Sequence, residues 1–595
     1  MLRLNHKLMF FSSFLKENLA YKVFIKKYKK YFILGTISLI MVDIINIVPP
    51  LLIKEAVDIL TSDGSLTKIA YISGIYLLVS LVQGIGRYYW RINFIGTAFR
   101  CEYDLRMAFF KHIETLSQSF FQKYKTGDLL SRATNDLTAV RMAVGPGMLI
   151  GLDALFYFFI IPPIVIYLSP KLALYTFLPL PLMPYFAYKI KNTIDRRFKI
   201  VQEQFSNISE KAQENISGIR VVKGFNMSKQ EENTFRKLCR DFMKKNLSLA
   251  IPQSLLGPAF EYITYLGIII LLLVGGNMVL EGTVTLGTLI AFQRYISKMV
   301  WPMTAVGWCL SLFQRGKASM KRVDEVMDLN PEIVTNKSAI KDFQPTGKIE
   351  FTDLSFRYNG NEDDVLRNVN LKIDSGQKVA IIGPVSCGKS TLVSLIPRIF
   401  SAKDNKIFLD DVDINKIDIK ELRKHIGFVS QDTFLFSEKI RNNIAFGNPA
   451  ISDERKVQEL ARLSMISKEI DDLPEGYDSY LGERGINLSG GQKQRLSIAR
   501  ALAINPKILI FDDCLSAVDA RTEEALIKNI SEVVKENTLI VVTHRIPAIK
   551  EFDFIVVMQE GVIVEKGTHQ QLTKREGLYK SLYDKEVIEE SLEKS

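Results

Sequence analysis

Six apolar stretches limit what this chain can become. They lie at about 31–53, 69–90, 143–168, 172–190, 254–280 and 286–313, and each approaches or exceeds the roughly 20 residues that carry a helix across hydrocarbon. Backbone groups in lipid must be satisfied internally, so these stretches predict six transmembrane helices. All of them fall in the first 313 of 595 residues, so a second domain of another kind follows. Residues 91–142 and 191–253 keep apolar positions at helical spacing, which extends the second, third and fifth spans far into the cytosol. The links at 54–68, 169–171 and 281–285 are short and carry little basic charge, which puts them outside and both chain ends in the cytosol. Residues 1–330 hold 40 Lys and Arg against 23 Asp and Glu, a surplus of 17, which leaves −5 of the total +12 for the rest. The positive charge gathers between apolar runs, and no basic stripe marks the second half, so nucleic acid is not an expected partner. Cys101, Cys239, Cys309, Cys387 and Cys514 form no metal-like pair and no disulfide framework. Leu8 to Leu15 reads as an amphipathic helix on the inner membrane surface, with Lys26, Lys27, Lys29 and Lys30 at the headgroups.

Several polar groups fall at membrane depth: Asp43, Arg87, Asp153 and Glu261. Such groups are costly and face a partner or a cavity. Two readings stay open. One is structural pairing between helices. In the other, Asp43 lines a cavity for cationic amphiphiles, with Tyr88, Tyr89, Phe156 and Phe158 around it. Pro49, Pro50, Pro162 and Pro163 lie within spans and predict kinks. Two segments midway along the cytosolic excursions, Phe120 to Asp128 and Ser217 to Phe225, combine a turn glycine with aromatic residues and are candidates to receive force from a neighbouring domain.

Residues 329–346, with Asn330-Pro331 and Pro345-Thr346-Gly347, read as a linker. Val379 to Ile382 is a buried-strand pattern that runs into Gly383-Pro384-Val385-Ser386-Cys387-Gly388-Lys389-Ser390-Thr391. This Gly-x4-Gly-Lys-Ser spacing lets backbone amides cradle phosphates while Lys389 neutralises the outer ones and Ser390 ligates magnesium. Ile508 to Asp513 is a second apolar strand ending in acids, of which Asp512 would hold magnesium through water. Between them stands Leu488-Ser489-Gly490-Gly491-Gln492.

In this order the elements resemble an ABC exporter half-transporter over nearly the whole chain. The resemblance implies an α-helical membrane domain at 1–328, the linker, an α/β P-loop nucleotide domain at 347–586 and a tail at 587–595. It implies ATP and Mg2+ as cofactors. Tyr358 matches the adenine-stacking aromatic, Gln431 the glutamine that senses magnesium and the attacking water, and His544 the switch histidine. Ser489, Gly490, Gly491 and Gln492 would cap the nucleotide of a second subunit. Gly482-Glu483-Arg484-Gly485 resembles the segment that meets the coupling loops, and Ser516-Ala517-Val518-Asp519 the loop that crosses the dimer interface.

Two departures stand out. Asp513 replaces the family's catalytic glutamate, and one missing methylene can cost on the order of 100-fold in rate. Ser386 stands where glycine is usual, and Cys387 where serine is frequent. If position 386 needs positive φ, serine there costs roughly 1–2 kcal/mol. An exposed Cys387 thiol beside the loop would be acidic and open to alkylation; the other reading is an inert small residue. The pattern resembles the degenerate-site subunit of heterodimeric bacterial multidrug exporters, whose mate supplies the competent site; a homodimer that tolerates aspartate is the alternative. The functions in view are export of amphiphiles across the cytoplasmic membrane, lipid flipping, and a non-transporting ATP-gated regulator or channel.

Overall fold

The computed structural model describes residues 19–593 except 63, 337, 452, 483–484, 486–487 and 534–535. The interfacial helix expected at Leu8 to Leu15 and residues Glu483 and Arg484 therefore lie outside the described residues. The chain divides into two compact units, one of Met1–Glu114 and Gly127–Leu329, the other of Thr115–Thr126 and Asn330–Ser595.

Among its described residues the first unit is built of helices, with no strand. Four helical runs among its described residues are long and apolar enough to cross a membrane: Lys26–Ser62, Leu66–Ile113, Thr126–Leu168 and Ser228–Leu280. The other two expected spans are helical but differ in kind. Pro179 and Pro181 break the fourth into Pro170–Phe177 and Leu182–Ser217, because proline lacks the amide a continuous helix needs. The sixth lies in the unbroken helix Leu286–Met327, which carries Arg294 and Lys298 and buries Phe292, Tyr295, Ile296 and Met299 among its neighbours. A helix surrounded by protein need not be apolar all round.

The first span also breaks. Helix Leu19–Ile45 stops, and Val48–Ser62 begins with Pro49 and Pro50 in its first turn, where missing amides cost nothing. Residues 54–62, expected as a link, stay helical. Lys54 pairs with Asp58 at 2.9 Å. Asp58 also accepts from the Gly287 amide and the Thr285 hydroxyl, each at 2.9 Å, and so caps the helix Leu286–Met327. Lys27, expected at the headgroups, instead pairs with Asp104 at 2.6 Å.

The expected helical extensions of the spans are present. Leu182–Ser217 and Ser228–Ile270 form a hairpin closed by the short helix Ile219–Gly224. Phe205 meets Phe242 at 6.0 Å, Lys211 meets Glu231 at 2.7 Å, and Lys245 donates to Gln204 at 2.7 Å. The hairpin tip leaves Val221 and Phe225 exposed, Phe225 at 77%.

Asp43 is buried and lines a cavity, as one of the two sequence readings required. Its free space for the centre of a water-sized sphere is about 10 Å³, room for about one water. An amphiphile does not fit. Tyr88, Tyr89 and Phe158 are exposed on the unit's surface instead, as is Glu261.

In the second unit, β1 (Ile349–Phe356), β2 (Leu366–Ile373), β4 (Ile407–Leu409) and β5 (Val412–Asp413) form an antiparallel sheet in the order β2-β1-β4-β5. A six-stranded sheet holds β3 (Lys378–Ile382), β6 (Ile426–Val429), β7 (Ile508–Asp512), β8 (Thr538–Val542), β9 (Phe554–Gln559) and β10 (Val562–Gly567) in the order β10-β9-β3-β8-β7-β6. Only β10 is antiparallel in it. Its central strands read as continuous apolar runs because both faces are covered, one by helices and the other by the antiparallel sheet with the helix that follows the phosphate loop. The predicted linker packs onto this unit: the Ile340 amide donates to Lys416 at 2.9 Å, and the Ile340 carbonyl accepts from Asp418 at 2.9 Å. Ser117 and Ser119 donate to Glu332 at 2.9 and 2.7 Å. The predicted tail continues the helix Leu578–Glu593.

A Cβ on Gly287 would lie 2.2 Å from the Lys54 carbonyl oxygen. Gly287→Val should therefore destabilise the first unit by about 2 kcal/mol or more, measured as a lower thermal unfolding midpoint in detergent. Asp58→Asn, which keeps an acceptor for the cap, should cost less.

Candidate nucleotide site

Ligands of open parallel sheets bind beyond the carboxyl ends of the strands. Here four adjacent strands deliver the sequence-predicted residues to one edge. β3 runs into Gly383, β8 into Thr543 and His544, β7 into Asp512 and Asp513, and β6 into Ser430 and Gln431.

The loop after β3 needs its glycines. Gly383 has φ 150° and Gly388 φ 98°. A Cβ at Gly383 would stand 2.1 Å from the Met558 carbonyl oxygen, and one at Gly388 2.8 Å from a Leu366 methyl. Ser386 takes φ 66°, so the expected strain at that position is real. Pro384, Val385 and Ser386 are exposed, while Cys387, Gly388 and Lys389 are buried. The Lys389 ammonium turns back into the loop and donates to the Gly383 and Pro384 carbonyls at 2.9 and 2.8 Å. Cys387 is 4% exposed, and its carbonyl accepts from the Gly561 amide at 3.2 Å. The exposure that thiol reactivity requires is missing, and the inert reading stands.

The donor set fits a magnesium nucleotide. Ser390 Oγ donates to Asp512 Oδ1 at 2.7 Å, which pairs one hydroxyl with one carboxylate. Magnesium is held by few protein ligands together with phosphates and water, and such a pair suits it. Burial holds the Asp512 carboxyl above the ordinary carboxylate range; the Asp513 charge adds to this, and Ser390 and Lys389 oppose it. Asp513 takes φ 46° and accepts from Gln431 Nε2 at 3.0 Å. Desolvation, then the Lys389 charge, lowers the His544 pKa against the pull of Asp513, so the imidazole is neutral at physiological pH.

Tyr358 lies edge-on to Phe356 and Phe400, both at 5.1 Å between centroids, and its hydroxyl meets Thr391 Oγ1 at 2.8 Å. The ring is thereby anchored to the first turn after the phosphate loop.

Ser489 opens the helix Gly490–Leu502 with a capping box: the Gln492 amide donates to Ser489 Oγ at 3.3 Å, and the Ser489 amide to Gln492 Oε1 at 2.9 Å. Ser489 and Gly490 are exposed. Among the described residues, no hydrogen bond joins this motif to residues 383–391. A Cβ on Gly491 would stand 3.0 Å from the Ala517 carbonyl oxygen, and one on Gly490 3.2 Å from Ala517 Cβ.

The sequence reading missed a buried brace. Glu523, 1% exposed, pairs with Arg545 at 2.8 Å and accepts from Thr543 Oγ1 at 3.3 Å. Arg545 also donates to the Val518 carbonyl at 2.8 Å. The brace ties the His544 turn to the 516–519 loop. The sequence signal was only a basic residue after His544, since its partners lie more than 20 positions away.

Ser386→Gly should stabilise the chain by about 0.5–1 kcal/mol, the left-handed strain relieved less the entropy glycine adds to the unfolded chain. Denaturant titration would measure it. Folding raises the Asp512 pKa, so the nucleotide-free folded state binds more protons than the unfolded one between the two values. Stability from this group is full below the unfolded value and is lost as pH rises through the folded one. The unfolding midpoint of the unsubstituted chain minus that of Asp512→Asn should therefore fall with rising pH, as thermal scans would read.

Comparison with known proteins agrees with this geometry. Residues 32–303 match the family model of the ABC transporter transmembrane region, and residues 366–516 match that of the ABC transporter. The chain is 35% identical to the probable multidrug resistance ABC transporter ATP-binding/permease protein YheI of Bacillus subtilis, over 95% of this chain and 97% of that one. It is 34% identical to the ATP-dependent lipid A-core flippase of Syntrophus aciditrophicus, over 91% and 90%. A bacterial Atm1-family ABC exporter solved with ATP bound shares the fold, with a TM-score of 0.76, 24% identity, and coverage of 94% of this chain and 99% of that one. The chain belongs to the ABC transporter family, as a membrane-embedded helical region fused to an ATPase that couples ATP hydrolysis to transport.

Proposed function

We propose that this chain is one half of an exporter of amphiphilic substrates, multidrug or lipid-like, that works by alternating access in the cytoplasmic membrane with both termini cytosolic. The gathering of Lys389, Ser390, Asp512, Asp513, Gln431 and His544 at four neighbouring strand ends, in a chain whose other unit is membrane helices, carries the reading. Multidrug resistance in the name of one relative and lipid A-core flipping in that of another favour amphiphiles, and leave lipid flipping as the second reading.

Bound Mg–ATP would supply the phosphoanhydride whose cleavage drives the cycle. Lys389 would exchange the Gly383 and Pro384 carbonyls for phosphate oxygens, Ser390 and Asp512 would hold the metal, and Tyr358 would stack on the base. Gln431 and Asp513 orient water, and neutral His544 donates a hydrogen bond. The exposed Ser489 and Gly490, with Gly491 and Gln492, cap the nucleotide of a second half-transporter. Exposed Val221 and Phe225 suit docking into that mate.

Two observations favour a heterodimer with a competent mate over a homodimer. Asp513 is shorter than glutamate, sits in the left-handed region and is engaged by Gln431; Ser386 strains the loop. Both suit an ATP site that binds well and cuts slowly. In lipid, the lone chain should turn over slowly, while the chain with its mate should show vanadate-sensitive ATPase that rises with amphiphile. Asp513→Glu should raise hydrolysis at this chain's own site by about 10-fold or more. Brisk phosphate release from the lone chain would overturn the heterodimer, and nucleotide binding without vectorial transport would favour the regulator.

A further inference from the structure

The short helix Gln118–Lys123 lies in the chain between two membrane runs, Leu66–Ile113 and Thr126–Leu168, yet it packs with the nucleotide unit. Phe120 is buried there and stacks on Tyr124 at 4.7 Å between centroids. Ser117 stands just before the first turn, where a serine ordinarily caps its own helix. Its hydroxyl makes no such bond. It donates instead to Glu332 Oε2 at 2.9 Å, and Ser119 donates to the same oxygen at 2.7 Å. The two serine oxygens lie 2.7 Å apart. A pair of hydroxyls thus converges on one carboxylate oxygen.

The other carboxylate oxygen serves the nucleotide site. Asn359 Nδ2 donates to Glu332 Oε1 at 2.7 Å. Asn359 follows Tyr358, whose ring is fixed by Phe356, Phe400 and Thr391. The Asn361 amide closes a turn on the Tyr358 carbonyl at 3.1 Å, so Asn359 moves only as that turn moves. Glu332, Asn359 and both serines belong to one compact unit. Among the described residues, no Lys, Arg or His nitrogen pairs with Glu332, and its carboxylate is left to these three donors.

Glu332 and Asn359 are exposed, and hydrogen bonds in water add little to stability. The chain nevertheless gives up a helix cap to make them, and such breaches of local preference gather where function demands them. We propose that Glu332 is a positioning residue that carries nucleotide occupancy from the Tyr358 turn to Gln118–Lys123. A base stacked on Tyr358 restrains the turn, Asn359 holds one carboxylate oxygen in place, and the other oxygen fixes the serines at the start of the helix. From there the chain itself leads into the two membrane runs. The linker is then the middle of a route and not slack between domains. This rests on the reading of Tyr358 as the base-stacking aromatic.

The test uses the full-length chain with its mate in lipid nanodiscs, read by hydrogen–deuterium exchange with and without magnesium and a non-hydrolysable ATP analogue. In the unsubstituted chain the analogue should slow exchange at the Tyr358 turn. It should also slow exchange in Gln118–Lys123 by about three-fold or more, the scale of one net hydrogen bond. Glu332→Ala should keep the first effect and lose the second. Glu332→Gln offers an oxygen to Asn359 and an amide to the serine hydroxyls, and should keep both. Asn359→Ala should match Glu332→Ala, and the double substitution should lose no more than either alone. A purely structural role would alter exchange before nucleotide is added and spare the change on binding. A response of Gln118–Lys123 that survives Glu332→Ala, or that vanishes equally in Glu332→Gln, overturns the route. An analogue that binds by equilibrium titration without slowing exchange at the Tyr358 turn refutes the stacking reading, and the route with it.

Discussion

The chemistry of the second unit depends on the parallel register of four strands. Ile381 lies opposite Val542, Val541 opposite Phe511, and Phe511 opposite Val429. The strands are buried on both faces, and a slip of one position would turn every side chain to the wrong layer. Burial of these apolar runs thus aligns the starts of four loops with little contribution from the loops themselves. The phosphate loop, two carboxylates, a glutamine and a histidine share an edge because their strands share a core.

The membrane unit depends on the reverse condition, helices that stop. Leu19–Ile45 ends just before two prolines, and the freed carbonyls of Asn46 and Ile47 draw in Lys298 and Tyr295. Irregular backbone at membrane depth is tolerated where protein satisfies it.

How far the sequence was legible follows from whether a signal was local. Hydropathy located the spans, and glycine spacing located the phosphate loop. Even the left-handed backbone at Ser386 could be anticipated from the residue it replaces. The break at 46–47 lies beside Pro49 and Pro50, which the sequence marked as a kink, whereas Pro179 and Pro181 were passed over inside a long apolar run. The Asp58 cap on Gly287 and the Glu523–Arg545–Val518 brace join residues far apart in the chain, and only the folded structure could bring them together. Cys387 left two readings open, and only its burial in the apolar core decides for the inert one.

Gly491 fits so closely against the Ala517 carbonyl that a side chain there would have to press it aside. Val518, the next residue, is held by the arginine that follows His544. In the head-to-tail pair proposed above, the first of these elements would attend the mate's nucleotide and the last the chain's own. The contacts would then join the two ATP pockets mechanically. Even a pocket that rarely fires could report, through those contacts, whether it is loaded.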